Sequence, residues 1–167
     1  METPRDRRLR LEFERMKQMA ESNSRISFLA NGNRPIEYGI TLHCRGIEAV
    51  QNGEIVYRDE HRVLVQLTPE FPLEAPMVIW MTPLYHPNVF PPAVCLGDYW
   101  FPGFSLAEMC EALYDMTVYK TFNIYDPLNH EAAQWLEQRI EKGEVISLDL
   151  TYSDNSDFEI NAVERTE

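Results

Sequence analysis

The sequence predicts a single α+β domain, in which one helix precedes a group of strands and two helices follow it. Apolar residues recur at helical spacing near the start of the chain, alternate with polar residues in the middle, and return to helical spacing after residue 105. Helices and strands that fall in separate blocks are typical of α+β folds. The 167 residues suffice for one domain, which we place at residues 1–143, followed by an acidic tail at 144–167.

The first helix is predicted over residues 4–21. Thr3 offers a hydroxyl cap, and Pro4 suits the first helical position because an N–H there would have no helical partner. The helix is also basic, since six of the 15 basic residues lie between positions 5 and 17. The residues expected on its apolar face are Leu9, Phe13 and Met16.

The middle of the chain is predicted to form a four-stranded antiparallel meander. Strict alternation indicates the first strand, and an Asn52-Gly53 pair is typical of the tight turn that joins two antiparallel strands. A short apolar run ends the meander. The four predicted strands are Ile40–Cys44, Glu54–Arg58, Val63–Leu67 and Met77–Met81.

A proline-rich segment separates the strands from the last two helices. Eight of the 11 prolines lie between Pro69 and Pro102, and neither a strand nor a helix period holds over Tyr85–Phe104. Long irregular segments inside compact domains are often functional, so we expect a functional segment here.

Two helices are predicted after this loop. Ser105 and Glu108 have the spacing of a capping box, and a third helix begins near Asn129 and ends at Gly143. The residues expected to face inward are Leu106, Met109, Cys110 and Leu113 on the first of these helices, and Ala132, Ala133, Leu136 and Ile140 on the second.

The charge distribution excludes several function classes. A net charge of −12 argues against nucleic-acid binding, because phosphate neutralisation requires a basic surface. No apolar run is long enough to span a bilayer, and residues 1–17 are too charged for a secretory signal, so we expect a soluble, cytoplasmic protein without a membrane partner. Residues 141–167 hold eight acidic and two basic residues. This tail also alternates apolar and polar residues from Ile146 to Tyr152, so it either frays or adds a strand to a sheet edge of this chain or of a partner.

The three cysteines differ in their surroundings. Cys44 and Cys110 fall on predicted apolar faces and are interpreted as buried hydrophobes. Cys95 lies in the irregular segment and is the candidate nucleophile. Three cysteines without a CxxC pair indicate neither a disulfide framework nor a zinc site, and we expect no metal and no cofactor.

Two reaction classes suit a nucleophile at Cys95. A cysteine hydrolase would need a histidine base, for which His86 and His130 are the nearby choices. Thioester transfer needs no strong base at the cysteine, because the acyl group arrives already activated. That reaction needs an oxyanion donor and a group that orients and deprotonates the incoming amine.

The central run FPLEAPMVIWMTPLYHPNVFPPAVCL, from Phe71 to Leu96, resembles the ubiquitin-conjugating enzyme family. A His-Pro-Asn tripeptide at His86 precedes the cysteine, and FNIYDPL from Phe122 to Leu128 is similar to the family's crossover between its second and third helices. Trp100 and Pro102 resemble the tryptophan and proline beyond the family cysteine. The resemblance covers about residues 4–140 and implies the ubiquitin-conjugating (UBC) fold, with the active site in the catalytic domain at residues 1–143.

The resemblance also implies roles for individual residues. Cys95 would accept the C-terminal glycine of a ubiquitin-like protein as a thioester and pass it to a lysine of an acceptor protein. Asn88 would stabilise the oxyanion or hold the active-site loop, and Asp126 would orient and deprotonate the attacking lysine. The remaining active-site loop residues would be His86, Pro87, Asn123 and Tyr125, the first two in structural roles.

The resemblance further implies partners. In this family the first helix docks the activating enzyme, so its arginines are expected to bind an acidic surface. No basic residue occurs between Val63 and Tyr119, which keeps competing amines away from a thioester. The arginines concerned are Arg5, Arg7, Arg8 and Arg10.

Departures from the family pattern point to a particular branch. Asn88 and Cys95 are seven positions apart, one fewer than usual, and the crossover is longer than usual. Leu73 stands where many members present an aromatic side chain to a ligase. The chain is more similar to bacterial relatives encoded beside an activating enzyme, a ubiquitin-like protein and a JAB-type peptidase, some of them in anti-phage defence. The alternatives are an inactive UBC-like binding module and a cysteine peptidase acting on a ubiquitin-like protein.

Overall fold

A computed structural model describes residues 1–144 and Leu148. A helix, four strands, a short hairpin and two further helices follow one another along the chain, which confirms the predicted α+β fold. The elements are α1 Pro4–Ser22, β1 Ile26–Leu29, β2 Glu37–Gln51, β3 Glu54–Gln66, β4 Met77–Trp80, β5 Val89–Phe90, β6 Ala93–Val94, α2 Leu106–Thr117 and α3 His130–Glu141. Within the described ranges, no helix is long and apolar enough to cross a membrane.

The four long strands form one antiparallel sheet in the order β1-β2-β3-β4. Asn52 and Gly53 join β2 to β3, and both have the positive φ that such a tight turn requires. The β5–β6 hairpin adjoins the β4 edge, where the Trp80 N–H donates to the Pro92 carbonyl over 2.9 Å. This contact brings the proline-rich segment onto the sheet.

The main sheet has the predicted number of strands, four, but they are not the four strands predicted. β1 was not predicted, and the two strands predicted over residues 54–58 and 63–67 are one continuous strand, β3. Polar residues in the middle of β3 hide this continuity. One of them, His61, is buried because Gly46 of β2 has no side chain: a Cβ on Gly46 would lie 2.7 Å from the imidazole.

The main core lies between the sheet and helices α1 and α2. Alternate residues of β2 and β3 face it, as the sequence predicts for β2, together with the apolar faces of both helices. The exposure of Ile140 corrects the prediction for α3: 44% of this residue is exposed, because it lies near the helix end. Fully buried members include Ile40, Leu42, Val63, Val65, Met16, Met109, Cys110 and Leu113.

The start of α2 is fixed by capping contacts from two helices. Ser105 and Glu108 form the predicted capping box. In addition, the buried carboxylate of Glu12 on α1 accepts a hydrogen bond from the Leu106 N–H over 2.9 Å and another from Arg8 Nε over 2.6 Å. An anion at a helix N-terminus is favourable, so Glu12 joins α1 to α2.

Candidate active site

A cavity of about 390 Å³ opens between the segment after β6 and the crossover that joins α2 to α3. Cys95, Asn88, Asn123 and Asp126 line this cavity. The structure therefore brings together the three residues predicted to be catalytic. The other lining residues are Leu96, Gly97, Ala112, Met116, Thr121 and Phe122.

Cys95 is the accessible cysteine. It is partly exposed directly after β6, and its N–H donates to the Asn88 carbonyl over 2.9 Å. Cys44 and Cys110 are buried, as predicted, and burial raises the pKa of the Cys110 thiol well above its usual value. Of the three thiols, only that of Cys95 faces the cavity.

His86 is a structural residue. Its Nδ1 accepts a hydrogen bond from the Asn88 N–H over 3.0 Å, so the ring proton is on Nε2, which lies 3.3 Å from the Thr121 carbonyl. Burial lowers the pKa of His86 to about 4, so the ring is neutral at pH 7. Both ring nitrogens are occupied within the fold, and His86 is not positioned as a base for Cys95.

Pro87 and Asn88 hold the crossover as well. The Pro87 carbonyl accepts hydrogen bonds from the Leu128 N–H over 2.8 Å and from the Asn129 N–H over 2.9 Å. The Asn88 side chain donates through Nδ2 to the Asn123 carbonyl over 2.9 Å and accepts through Oδ1 from the Asn123 N–H over 2.7 Å. The three consecutive residues His86, Pro87 and Asn88 therefore anchor three points of the crossover.

The crossover carries Asn123, Tyr125 and Asp126. The Asn123 side chain accepts a hydrogen bond from the Tyr125 N–H over 2.9 Å, which closes a tight turn before Asp126. Asp126 is exposed and lines the cavity. Tyr125 is 91% exposed, and it does not line the cavity.

Sequence reasoning did not identify Thr121 and Phe122 as cavity residues. Thr121 precedes the part of the crossover that carries the family resemblance, Phe122 begins it without an assigned role, and no period marks either residue. An aromatic residue directly before Asn123 was the available signal.

The four arginines of α1 that are expected to bind the activating enzyme fall into two pairs. Arg5 donates to the carbonyls of Thr68 and Pro69 over 3.1 Å each, and Arg8 donates to the carbonyls of Pro102 and Phe104 in addition to Glu12. Arg7 and Arg10 instead point outward and pair only with Glu2 among the described contacts. Arg5 and Arg8 are therefore bonded within the fold, and the docking role expected of all four arginines stays a prediction.

The comparisons with known proteins give a family. A search of curated proteins found no match. The family model described as ubiquitin-conjugating enzyme matches residues 45–146, more than half of the chain, and this range includes the cavity and the His-Pro-Asn tripeptide. The chain therefore belongs to the ubiquitin-conjugating enzyme family.

Proposed function

We propose that this protein receives a ubiquitin-like protein from an activating enzyme as a thioester on Cys95 and transfers it to a lysine of an acceptor protein. The observation that carries the proposal is the cavity in which the accessible thiol of Cys95 and the carboxylate of Asp126 occur together. Family membership supports partners of these two kinds, a ubiquitin-like protein and an activating enzyme.

The first step exchanges one thioester for another. Cys95 Sγ attacks the thioester carbonyl that the activating enzyme presents, a new S–C bond forms, and the bond to the activating enzyme's cysteine breaks. The thiol proton leaves with the departing sulfur. The ATP is consumed earlier, on the activating enzyme, so this chain needs no cofactor of its own for the step.

The second step is aminolysis of the thioester. The lysine nitrogen attacks the carbonyl carbon, an N–C bond forms, and Cys95 departs as a thiolate that takes up the proton lost by the amine. A lysine amine has a pKa of about 10.4 in water and must lose its proton to react. Asp126 is the carboxylate in the cavity that would orient the ammonium group and favour its deprotonation.

For Asn88 the hydrogen bonds favour a role in holding the loop. Its Oδ1 and one hydrogen of its Nδ2 are both bonded to the main chain of Asn123, and the residue is 5% exposed. Through these bonds Asn88 fixes the turn that presents Asp126. We propose this positioning role over direct donation to the oxyanion.

Docking of the activating enzyme is assigned to Arg7 and Arg10. Both lie on the exposed side of α1, with 66% and 44% of their side chains accessible. Their partner Glu2 is partly exposed, so another carboxylate can replace it in these ion pairs. An acidic groove on the activating enzyme would compete with Glu2 for these guanidinium groups.

The departures from the common family pattern support membership of a bacterial conjugation system. Such a system would have its own ubiquitin-like protein, activating enzyme and JAB-type peptidase, and it would act in anti-phage defence. The shortened spacing from Asn88 to Cys95 and the lengthened crossover carry this part of the proposal. The genes that neighbour this one in its genome test it directly: an adjacent activating-enzyme gene is expected, and its absence counts against the assignment.

The two alternative functions fit the cavity less well. An inactive binding module needs no accessible thiol, whereas Cys95 is accessible and lines the same cavity as Asp126. A cysteine peptidase needs a histidine base, and no histidine is among the residues that line the cavity.

The experiment is a loading assay with the activating enzyme, ATP and the ubiquitin-like protein. Wild-type protein should form an adduct that a thiol reductant removes. Cys95→Ala should form none, and Cys44→Ala, the matched control at a buried cysteine, should load normally. Adduct formation by Cys95→Ala would contradict the proposal, and so would ATP-independent cleavage of a ubiquitin-like fusion by the wild type.

A further inference from the structure

We infer that Tyr119 is a positioning residue for the aminolysis step, an inference that rests on the function proposed above. Tyr119 stands at the junction of α2 and the crossover, and it does not line the cavity. It would therefore act through the crossover that carries Asn123 and Asp126, without touching substrate.

The backbone of Tyr119 has an uncommon conformation. Its φ of 60° lies in the left-handed region, which is disfavoured for residues that carry a bulky side chain and open to glycine. The turn is closed by hydrogen bonds from the Tyr119 N–H to Met116 and from the Lys120 N–H to Asp115, each 2.9 Å long. A glycine would suit this turn better, so the tyrosine side chain must compensate through contacts elsewhere.

Those contacts are with the segment that precedes Cys95. Tyr119 is 1% exposed, and its hydroxyl donates to the carbonyl of Tyr85, the residue directly before the His-Pro-Asn tripeptide. Its ring lies 4.8 Å from the imidazole of His86, measured between centroids. Burial raises the pKa of Tyr119, so the hydroxyl keeps its proton and stays a donor.

The junction of α2 and the crossover also contacts Leu148, α3 and the ring of Phe122. The Leu148 N–H donates to the Val118 carbonyl over 2.7 Å, and the ring of Tyr119 contacts Trp135 of α3 at 6.4 Å between centroids. The ring of Phe122, which lines the cavity, lies 6.5 Å away on the crossover side.

These contacts place Tyr119 between the tripeptide and the start of the crossover. His86, Pro87 and Asn88 hold the crossover at residues 121, 123, 128 and 129. Tyr119 adds the anchor at the point where the crossover leaves α2, and it attaches that point to Tyr85 and His86. Loss of the hydroxyl should let the crossover shift relative to Cys95 and displace Asp126 from the attacking amine.

The test compares two nucleophiles in single-turnover discharge of the loaded protein. Free lysine requires the carboxylate of Asp126, whereas hydroxylamine is already uncharged at neutral pH and does not. Tyr119→Phe should discharge to lysine about fivefold more slowly, the effect expected for one lost hydrogen bond, with hydroxylamine discharge unchanged. The apparent pKa of the lysine reaction should move upward, towards that of free lysine.

Tyr38→Phe is the matched control, because Tyr38 is also fully buried and its hydroxyl has no hydrogen-bond partner among the described residues. It should discharge to lysine at the wild-type rate. Tyr119→Gly accepts the backbone conformation freely but lacks the side chain, and it should be at least as slow as Tyr119→Phe.

Each outcome separates the inference from the function on which it rests. If the wild type forms no adduct, the proposed function fails. If the wild type loads and discharges normally but Tyr119→Phe matches it with lysine, the inference on Tyr119 alone is overturned. Equal slowing with lysine and hydroxylamine, or a wild-type rate for Tyr119→Gly, would also overturn it.

Discussion

The two walls of the active-site cavity are attached to the molecule in different ways. The cysteine wall, residues 95–104, is tied to the main core by aromatic packing and by α1. The ring of Trp100 lies 5.5 Å from that of Phe71, its Nε1 donates to Pro72, and Arg8 bonds to the carbonyls of Pro102 and Phe104. The crossover wall, residues 118–129, is held by hydrogen bonds between its main chain and the residues His86, Pro87 and Asn88.

Because the attachments differ, substitutions at the two walls should impair different properties of the protein. Changes at the attachments of the cysteine wall remove buried contacts and should lower the stability of the whole domain. Changes at the attachments of the crossover wall remove hydrogen bonds to its main chain and should impair transfer to the amine while Cys95 is still loaded.

The largest expected effect is on stability, at the joint between α1 and α2. Glu12→Ala removes the buried carboxylate that accepts from Arg8 Nε and from the Leu106 N–H, and it should lower the free energy of unfolding by about 4 kcal/mol. Urea unfolding measures this. Glu14→Ala, at an exposed ion pair with Lys17, should cost less than about 1 kcal/mol. A similar loss in both variants would contradict the role given to Glu12.

The second effect is a loss of stability in mild acid. Burial lowers the pKa of His61 and of His86 to about 4 in the folded state, so the unfolded state takes up their protons first, below pH 6.5. The stabilisation is complete above pH 6.5 and should fall as the pH approaches 4, by on the order of 3 kcal/mol for each histidine.

Variants at single histidines divide this pH dependence. His86→Asn should remove about half of the histidine contribution to the slope of unfolding free energy against pH. His130→Gln, at an exposed histidine, should leave the slope unchanged. A free energy of unfolding that stays constant from pH 6.5 to 4 would show that neither imidazole is buried as described.

The third effect is on transfer, at the crossover wall. Asn88→Ala removes both hydrogen bonds to Asn123 and should slow lysine discharge about 100-fold, since a displacement near 1 Å can cost that much, while loading changes far less. Discharge to hydroxylamine distinguishes the two roles of Asn88. It should be retained if Asn88 holds the loop, and it should slow equally if Asn88 donates to the oxyanion.

The fourth effect concerns the carboxylate in the cavity. Asp126→Asn should slow lysine discharge about 100-fold at neutral pH, and the deficit should shrink near pH 10, where lysine loses its proton unaided. Asp98→Asn is the control, because Asp98 is exposed after Cys95 but does not line the cavity. A deficit that is independent of pH would indicate that Asp126 only shapes the loop.

The smallest effect is expected far from the cavity, on α1. Reversing both outward arginines, Arg7→Glu and Arg10→Glu, should slow loading about threefold at low salt, and the deficit should fade as added salt screens the charges. Arg62→Glu, at an exposed arginine on β3, should load normally at every salt concentration. Equal loading by the double variant and the wild type would remove α1 from the docking surface.

Elements that are determined by residues close together in the chain were predictable from the sequence. The capping residues Thr3 and Ser105 specify where α1 and α2 begin, and the Asn52-Gly53 turn specifies the hairpin of β2 and β3. Each of these signals lies within a few residues of the structure that it determines.

Elements that depend on contacts between residues far apart in the chain were not predictable from the sequence. The polar residues in the middle of β3 are accommodated by Gly46 on the neighbouring strand, which no pattern within β3 reveals. Arg8 was indistinguishable from Arg7 in sequence, although Arg8 contacts residues 94 and 96 positions away.

In the candidate site, too, the individual residues were predictable from the sequence but their arrangement was not. The resemblance indicated Cys95, Asn88 and Asp126, but their meeting in one cavity depends on hydrogen bonds between residues 35 positions apart. The left-handed backbone of Tyr119 has no sequence signal, because tyrosine seldom adopts it. The prediction of a strand in the acidic tail lies outside the described residues, apart from Leu148.

The most direct test of the account is to identify the bond that Cys95→Ser forms with the ubiquitin-like protein. The wild-type adduct should be a thioester, cleaved by a thiol reductant at neutral pH. The serine variant should form an oxyester at the same position, which resists the reductant and is cleaved by alkali. A reductant-sensitive adduct that persists in Cys95→Ser would place the thioester on another cysteine and contradict the account.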